Sequence, residues 1–356
     1  MSVTSMMITR RAALGLLATI GLAACSRGGA GNDSATSGTP NATTAGASAS
    51  GKKTFTIAMI AKSSTNPVFL SGRQGAEAAA DSIGKATGVT VKIDWLTPPN
   101  EDAAVQAQRI AQAVTAGDDA ILLSASDASK LVGAIDEAVA RGVPVMTFDS
   151  DVPTSKRFSF YGGDDEAMGR QVMAELAKQM GGKGKIGILA GNQNAPNLQK
   201  RVKGAKDEAA KYPGMQILGT FYHIETPQDA AAEVLRAQNA YPDIQGWAFI
   251  GGWPLWTKTL LTDLDPNKVK IVSIDALPSE LPYVDKGLAP VLFAQPTYNW
   301  GYVSVKTIYD HVHDKKDVPP HVQMDLIRVD KSSLGQWARQ LKDWGFTDVD
   351  PKYLTQ

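Results

Sequence analysis

"TFTIAMIAKSSTNPVF", Thr54 to Phe69, is the stretch that decides the architecture. Its first eight residues form a nearly continuous apolar run rich in strand formers, the pattern of a strand buried on both faces of a parallel sheet. A polar turn follows, and a helix is expected from about Pro67 to Ile83. Strand, turn and covering helix together make the repeating unit of an α/β fold.

Moving outward, the same unit recurs. "VTVKIDW", Val89 to Trp95, reads as the next strand. Val105 or Ala107, Ile110, Ala111 and Val114 then fall at helical spacing, and "AILLS", Ala120 to Ser124, is another buried strand. Leu131, Ile135 and Val139 mark one face of a further helix before "VPVMTF", Val143 to Phe148. The cycle restarts at "KIGILA", Lys185 to Ala190, and runs through a helix near Leu198 to Tyr212 to the strand "QILGTFYH". A helix opened by Thr226 with Pro227 at its first position comes next. "GWAFIGG", a helix from about Pro254 and "VKIVSID", Val269 to Asp275, complete the series. Two α/β halves of similar plan are expected.

The first 53 residues differ. Arg10 and Arg11 precede a mostly apolar run, Ala12 to Ala24, that ends in small residues, the layout of a signal peptide. The run is shorter than the ~20 residues of a membrane span. Cys25, the only cysteine in 356 residues, follows "LAA" directly. Leu22 to Cys25 resembles a bacterial lipoprotein signal, which implies removal of residues 1–24 and lipidation of Cys25. "TRRAALG" also has some likeness to a twin-arginine export signal. Residues 26–53 are dominated by Gly, Ala, Ser, Thr and Asn without an apolar face, the composition of a flexible linker.

About 300 residues remain, and at that size one core usually splits into two. The chain balances 36 basic against 36 acidic residues and has no basic block suited to a phosphate backbone, which argues against nucleic acid. A lone cysteine excludes an intramolecular disulfide. The four histidines, His223, His311, His313 and His321, show no zinc spacing, and no phosphate-binding glycine loop or nucleophile elbow is present. No metal or cofactor is expected.

In parallel sheets, ligands sit beyond the carboxyl ends of the strands. Those ends carry Asn66 and Phe69, then Asp149, Ser150 and Asp151, then Trp253, Asp275 and Gln295, with Asn197, Gln199 and Arg201 early in a second-half helix. Carboxylates accept hydrogen bonds, guanidinium donates them and amides do both, while aromatic rings offer flat area. The set suits a neutral polyol with C–H faces, that is, a sugar. Taken singly, a strand-end aspartate is also an ordinary turn former, Phe69 and Trp253 can serve as core, and Lys62 is expected at the surface.

"NPVF", "GVPVMTFDSD", "YGGDDEAMGR", "NLQKRVKGAKD", "IVSIDA" and "FAQPTYNWGY" occur in this order. With them, the body from Lys53 to about Leu354 resembles periplasmic sugar-binding proteins of the ribose and galactose type, the substrate-binding components of ABC importers. The resemblance implies two Rossmann-like lobes with parallel sheets joined by a three-crossover hinge, near residues 162–164, 295–298 and 328. The lobes would comprise 54–162 plus 296–327 and 163–295 plus 328–356.

It also implies a monosaccharide held by Asn66, Phe69, Asp149, Asp151, Asn197, Gln199, Arg201, Trp253, Asp275 and Gln295. A monomer anchored through Cys25 outside the cytoplasm would deliver it to a permease. Two positions depart from the ribose binders: Ser150 stands where they tend to have arginine, and Gln199 where an arginine is often found. "FDSDVPTSKR" is closer to a branch that includes glucose binders. The competing readings are a sugar sensor that presents its closed form to a membrane receptor, and a hydrolase using Asp149 and Asp275 as an acid and base pair.

Overall fold

The computed structural model describes residues 54–356. The expected signal peptide, Cys25 and linker lie outside the described residues. The body is α/β in two lobes, each built on a six-stranded sheet.

The first sheet contains β1 (Thr54–Ile60), β2 (Thr90–Trp95), β3 (Ala120–Leu123), β4 (Val145–Phe148), β5 (Ser159–Gly162) and β11 (Val322–Gln323). Their order is β11-β5-β4-β3-β1-β2 and every pairing is parallel. The second contains β6 (Lys183–Ala190), β7 (Gly214–Tyr222), β8 (Ile244–Phe249), β9 (Lys270–Ile274), β10 (Val291–Ala294) and β12 (Ile327–Asp330). Its order is β12-β10-β9-β8-β6-β7, parallel except for β12, which runs antiparallel to β10. The continuous apolar runs are the central strands: "AILL" of β3 and "VMTF" of β4 are buried at every position, as helices on both faces require.

Local chemistry sets the helix starts. Asp102 accepts hydrogen bonds from the amides of Ala104 and Val105 to open α2 (Ala103–Ala116), and Asp127 opens α3 (Ala128–Ala140) in the same way. Thr226 caps α6 (Pro227–Ala240), with Pro227 at its first position, where the missing N–H costs nothing.

The chain changes lobe three times. It leaves β5 and enters α4 (Asp165–Met180), which packs on β8 and β9 of the second sheet. It leaves β10 and enters α8 (Thr297–Ile308), which packs on α1 (Pro67–Thr87) of the first lobe. The third passage spans residues 324–326: Gln323 still pairs with Gly162, while Ile327 already pairs with Ala294. It therefore lies just ahead of Arg328, which is inside β12.

Two local readings need correction. No helix begins near Pro254: residues 253–255 form a single 3-10 turn, followed by turns up to β9. Three threonines and the Asp265-Pro266 step work against a helix there, and Leu261 and Leu264 are buried without one. Strand β5, four residues long, carries no alternation that would have distinguished it from loop.

Candidate functional site

Strands β4 and β9 occupy matching places in the two sheets, and each is followed by an aspartate in the left-handed backbone region: Asp149 at φ 56° and Asp275 at φ 76°. Such a conformation costs a non-glycine residue roughly 1–3 kcal/mol, and aspartate is among those that tolerate it best. In each case the amide continues the sheet by donating to the neighbouring strand, Asp149 to the Tyr161 carbonyl (3.1 Å) and Asp275 to that of Phe293 (3.0 Å). Both carboxylates line one cavity between the lobes.

Around Asp149 the contacts cross the cleft. Ser124 Oγ donates to its Oδ2 (2.8 Å), and Lys62 Nζ lies 3.7 Å from the same oxygen. Asn197, from α5 (Pro196–Ala209) of the second lobe, donates Nδ2 to Asp149 Oδ1 and accepts from Lys62 Nζ, both at 3.2 Å. These contacts hold the lobes closed. Burial would lower the Lys62 pKa, but the carboxylates of Asp149, Glu101 and Glu225 outweigh it and raise the pKa above its ordinary value.

Around Asp275 the contacts stay within the second lobe and its hinge. Gly252 N–H donates to Oδ2 (3.1 Å) and Gln295 Nε2 to Oδ1 (2.8 Å). Arg201 donates to Gln295 Oε1 (2.9 Å) through one arm and to Asp165 Oδ1 through Nε (2.8 Å). Burial raises the Asp275 carboxyl against these bonds, and pushes Asp165 up to about 6 despite Arg201 beside it. Glu280, fully buried next to Asp275, is driven well above the usual carboxylate range by desolvation.

Phe69 packs edge-on to Phe148 and tilted against Trp300, and Trp253 stands against Trp256, giving each lobe an aromatic wall. Asn66 lines the cleft, and its Oδ1 is used to cap α1 through the Val68 amide.

Eight of the ten sequence-derived site residues surround this cavity: Asn66, Phe69, Asp149, Asn197, Arg201, Trp253, Asp275 and Gln295. Two do not. Asp151 forms a two-pronged ion pair with Arg157 (2.6 Å for each bond) and accepts from Thr147 Oγ1, so both its oxygens are engaged away from the cleft. Gln199 is exposed and donates to the Gln193 carbonyl. It sits two residues from Asn197, on another face of α5, whereas Arg201, four residues on, shares the Asn197 face.

Lys62 is not at the surface: it is 3% exposed, in the centre of the cleft. Glu225 and Trp300 also line the cavity and went unread, and Trp256, which the sequence leaves open between pocket wall and core as it does Trp253, lines it as well. A lysine after a buried strand looks like solvent-facing charge, and only closure of the second lobe over it creates its burial.

The space left within this inner cavity is about 30 Å³, room for little more than water. A chamber of about 550 Å³ adjoins it toward solvent and shares Lys62, Asn66, Phe69 and Glu225 with it. Here Glu101 of the first lobe faces Glu225 of the second, and burial followed by the Glu225 charge pushes its carboxyl up to about 7.

Comparison with known proteins adds a further line. A family model described as a periplasmic binding protein domain matches residues 57–316. The chain is 30% identical over 138 residues to a xylitol-binding protein of Mycolicibacterium smegmatis, covering 39% of each. It is 29% identical over 153 residues to the ribose import binding protein of Bacillus subtilis, covering 43% of this chain and 48% of that one. The matched stretch thus spans about half or less of these relatives.

Among solved structures, a solute-binding protein of Burkholderia graminis, crystallised in complex with D-arabinose, superposes with a TM-score of 0.73 at 24% identity. The match covers 78% of this chain and 96% of that one. A glucose-galactose binding protein of Geobacillus stearothermophilus gives 0.72 at 24% identity over 79% and 99%. At these identities the structural likeness speaks for the fold.

Proposed function

Since the chain belongs to the periplasmic binding protein family and has its type I, two-lobed fold, we propose that it captures a monosaccharide unit, an aldohexose or aldopentose, between its lobes. It would then hand that sugar to an ABC permease. In this reading the lobes are 54–162 plus 296–326 and 163–295 plus 327–356, and they part and close about the three passages between them. Since the inner cavity as it stands leaves only about 30 Å³, a sugar ring bound there holds the lobes further apart than they are here. Cys25 carries the lipid that keeps the protein at the membrane outside the cytoplasm, and residues 26–53 are its tether.

The observation that carries the reading is the pair of strand-end aspartates, one from each lobe, lining a single cavity with Asn197, Arg201, Gln295 and the rings of Phe69 and Trp253. The wall carries both acceptors and donors, as a ring of hydroxyls requires, and the aromatic faces suit C–H surfaces. With Ser150 in place of an arginine, Lys62 is the cation beside Asp149. The matched relatives carry names of binding proteins, which supports capture rather than catalysis.

A thermal-shift panel on the chain tests this, with aldopentoses, aldohexoses, polyols, amino acids and nucleosides as ligands. A ligand that binds only the folded state raises Tm. One or two sugars producing a shift is the expected result. Silence across all sugars with a response to another class overturns it.

A further inference from the structure

The outer chamber is built as symmetrically as the inner cavity. Glu101 directly precedes Asp102, the residue that caps α2, and Glu225 directly precedes Thr226, which caps α6. Each follows the second strand of its own sheet, β2 or β7. Closure of the lobes therefore brings two equivalent loop carboxylates into one chamber of about 550 Å³. Its wall also carries Asn192, Asn194 and Tyr222, the last 45% exposed. Amides, carboxylates and an accessible aromatic face are the same inventory as the inner cavity.

Two buried atoms of this wall have no hydrogen-bond partner among the described residues: Oε1 of Glu101, from the first lobe, and Nε2 of His223, from the second. His223 Nδ1 lies 2.7 Å from the Ile224 carbonyl, so it must donate there. Desolvation lowers this imidazole's pKa and keeps it neutral, which leaves Nε2 with a lone pair. His223 Nε2 is an acceptor and Glu101 Oε1 is one whenever its carboxyl is ionised, and buried acceptors without donors are costly. On each side of the chamber one buried acceptor is thus left without a donor, while its amides and Tyr222 offer contact area. A hydroxyl-bearing ring meets that need, and the volume is ample for one.

We propose that the outer chamber is a second sugar subsite, so that the ligand is a disaccharide or related glycoside with one ring in the inner cavity and the next ring against Glu101, His223 and Tyr222. This rests on reading the cleft as a sugar site.

The experiment is calorimetric titration of the full chain with each monosaccharide that raises Tm and with α- and β-linked disaccharides and methyl glycosides containing it. At least one disaccharide should bind about tenfold more tightly than its free monosaccharide, the scale of one or two added hydrogen bonds. Glu101→Ala should reduce that disaccharide-to-monosaccharide ratio about tenfold. Tyr222→Ala, at an exposed position, should reduce it by a smaller factor. A free monosaccharide that binds as tightly as every disaccharide containing it overturns the second subsite and leaves the sugar reading intact. An unchanged ratio in both variants does the same. Failure of every sugar, single or linked, overturns the sugar reading itself, and the two failures are thereby told apart.

Discussion

The two lobes are built alike where their helices cross and differently where their strands end. In the first lobe, α8 lies so close to α1 that a Cβ on Gly75 would sit 1.8 Å from the Tyr298 carbonyl oxygen, and one on Gly301 would sit 1.9 Å from that of Gly72. In the second, α4 lies as close to α5: a Cβ on Gly169 would meet the Arg201 carbonyl at 1.9 Å, and one on Gly204 that of Glu166 at 2.0 Å. In each lobe the helix that has just crossed from the other half packs on the helix following the first strand. At the strand ends the likeness stops. Asp149 is tied to a lysine and to the opposite lobe, whereas Asp275 is tied to an amide, a backbone N–H and its own hinge. Backbone packing fixes the frame twice over, and side chains then give the halves of the cleft separate tasks.

The largest effects should come from the frame, and they should be equal. Gly75→Ala and Gly204→Ala each force a methyl group into backbone that cannot move aside, and each is expected to cost about 3 kcal/mol or more. Urea denaturation checks this. A severe loss in one lobe beside a mild one in the other would break the equivalence of the crossings.

The strand ends should separate next. Asparagine tolerates the left-handed backbone as aspartate does, so Asp149→Asn and Asp275→Asn isolate the charge. Removing the Asp149 carboxylate strands Lys62 in a buried site, an expected loss of about 3 kcal/mol in stability. The Asp275 carboxyl is already disfavoured by burial, and its replacement should change stability by within about 1 kcal/mol. Both variants should weaken sugar binding, by about 10- to 100-fold, because each removes a charge-assisted acceptor. Equal stability changes in the two would show that Lys62 does not depend on Asp149.

What could be read from the sequence follows the same division. Buried parallel strands such as "AILL" and "VMTF" announce themselves, and a repeated strand and helix order implies the frame. The strand-end aspartates were legible because position in the unit predicts position in the cleft. Lys62, Glu101 and Glu225 were not, since each acquires its environment only when the second lobe covers it. The segment from Trp253 to Lys268 misled because its leucines are buried by turns rather than by a helix.

A pH experiment sharpens the comparison at the outer chamber, where the two lobes bring like charges together. Glu101 has an ordinary value of 4.5 and is pushed up to about 7, with Glu225, Lys62 and Asp149 the charged groups around it. A carboxyl raised on folding contributes stability that is complete below about pH 4.5 and lost as pH rises through about 7. The loss is roughly 3 kcal/mol at most. Glu101→Gln should therefore match the wild type near pH 4 and exceed it in stability at pH 8. Asp165 and Asp275 are raised as well, so part of the slope persists in the variant. Parallel pH profiles for the two proteins would mean that neither burial nor the facing Glu225 raises Glu101 in the folded chain.

The smallest expected effects test the face of α5 that meets the cleft. Asn197 and Arg201 are four residues apart and point to one side, where they reach Asp149, Asp165 and Gln295. Gln199 lies about 200° around the helix from Asn197 and meets only the loop before α5. Gln199→Ala should leave sugar affinity unchanged and shift stability by no more than about 0.5 kcal/mol. Asp151→Asn should be equally silent in binding while losing some stability through Arg157, because both oxygens of Asp151 are engaged away from the cavity. A tenfold drop in affinity from Gln199→Ala would require the opposite face of α5 to meet the ligand. That would demand a closure of the second lobe different from this one, in which the Asn197 bridge to Lys62 and Asp149 is broken.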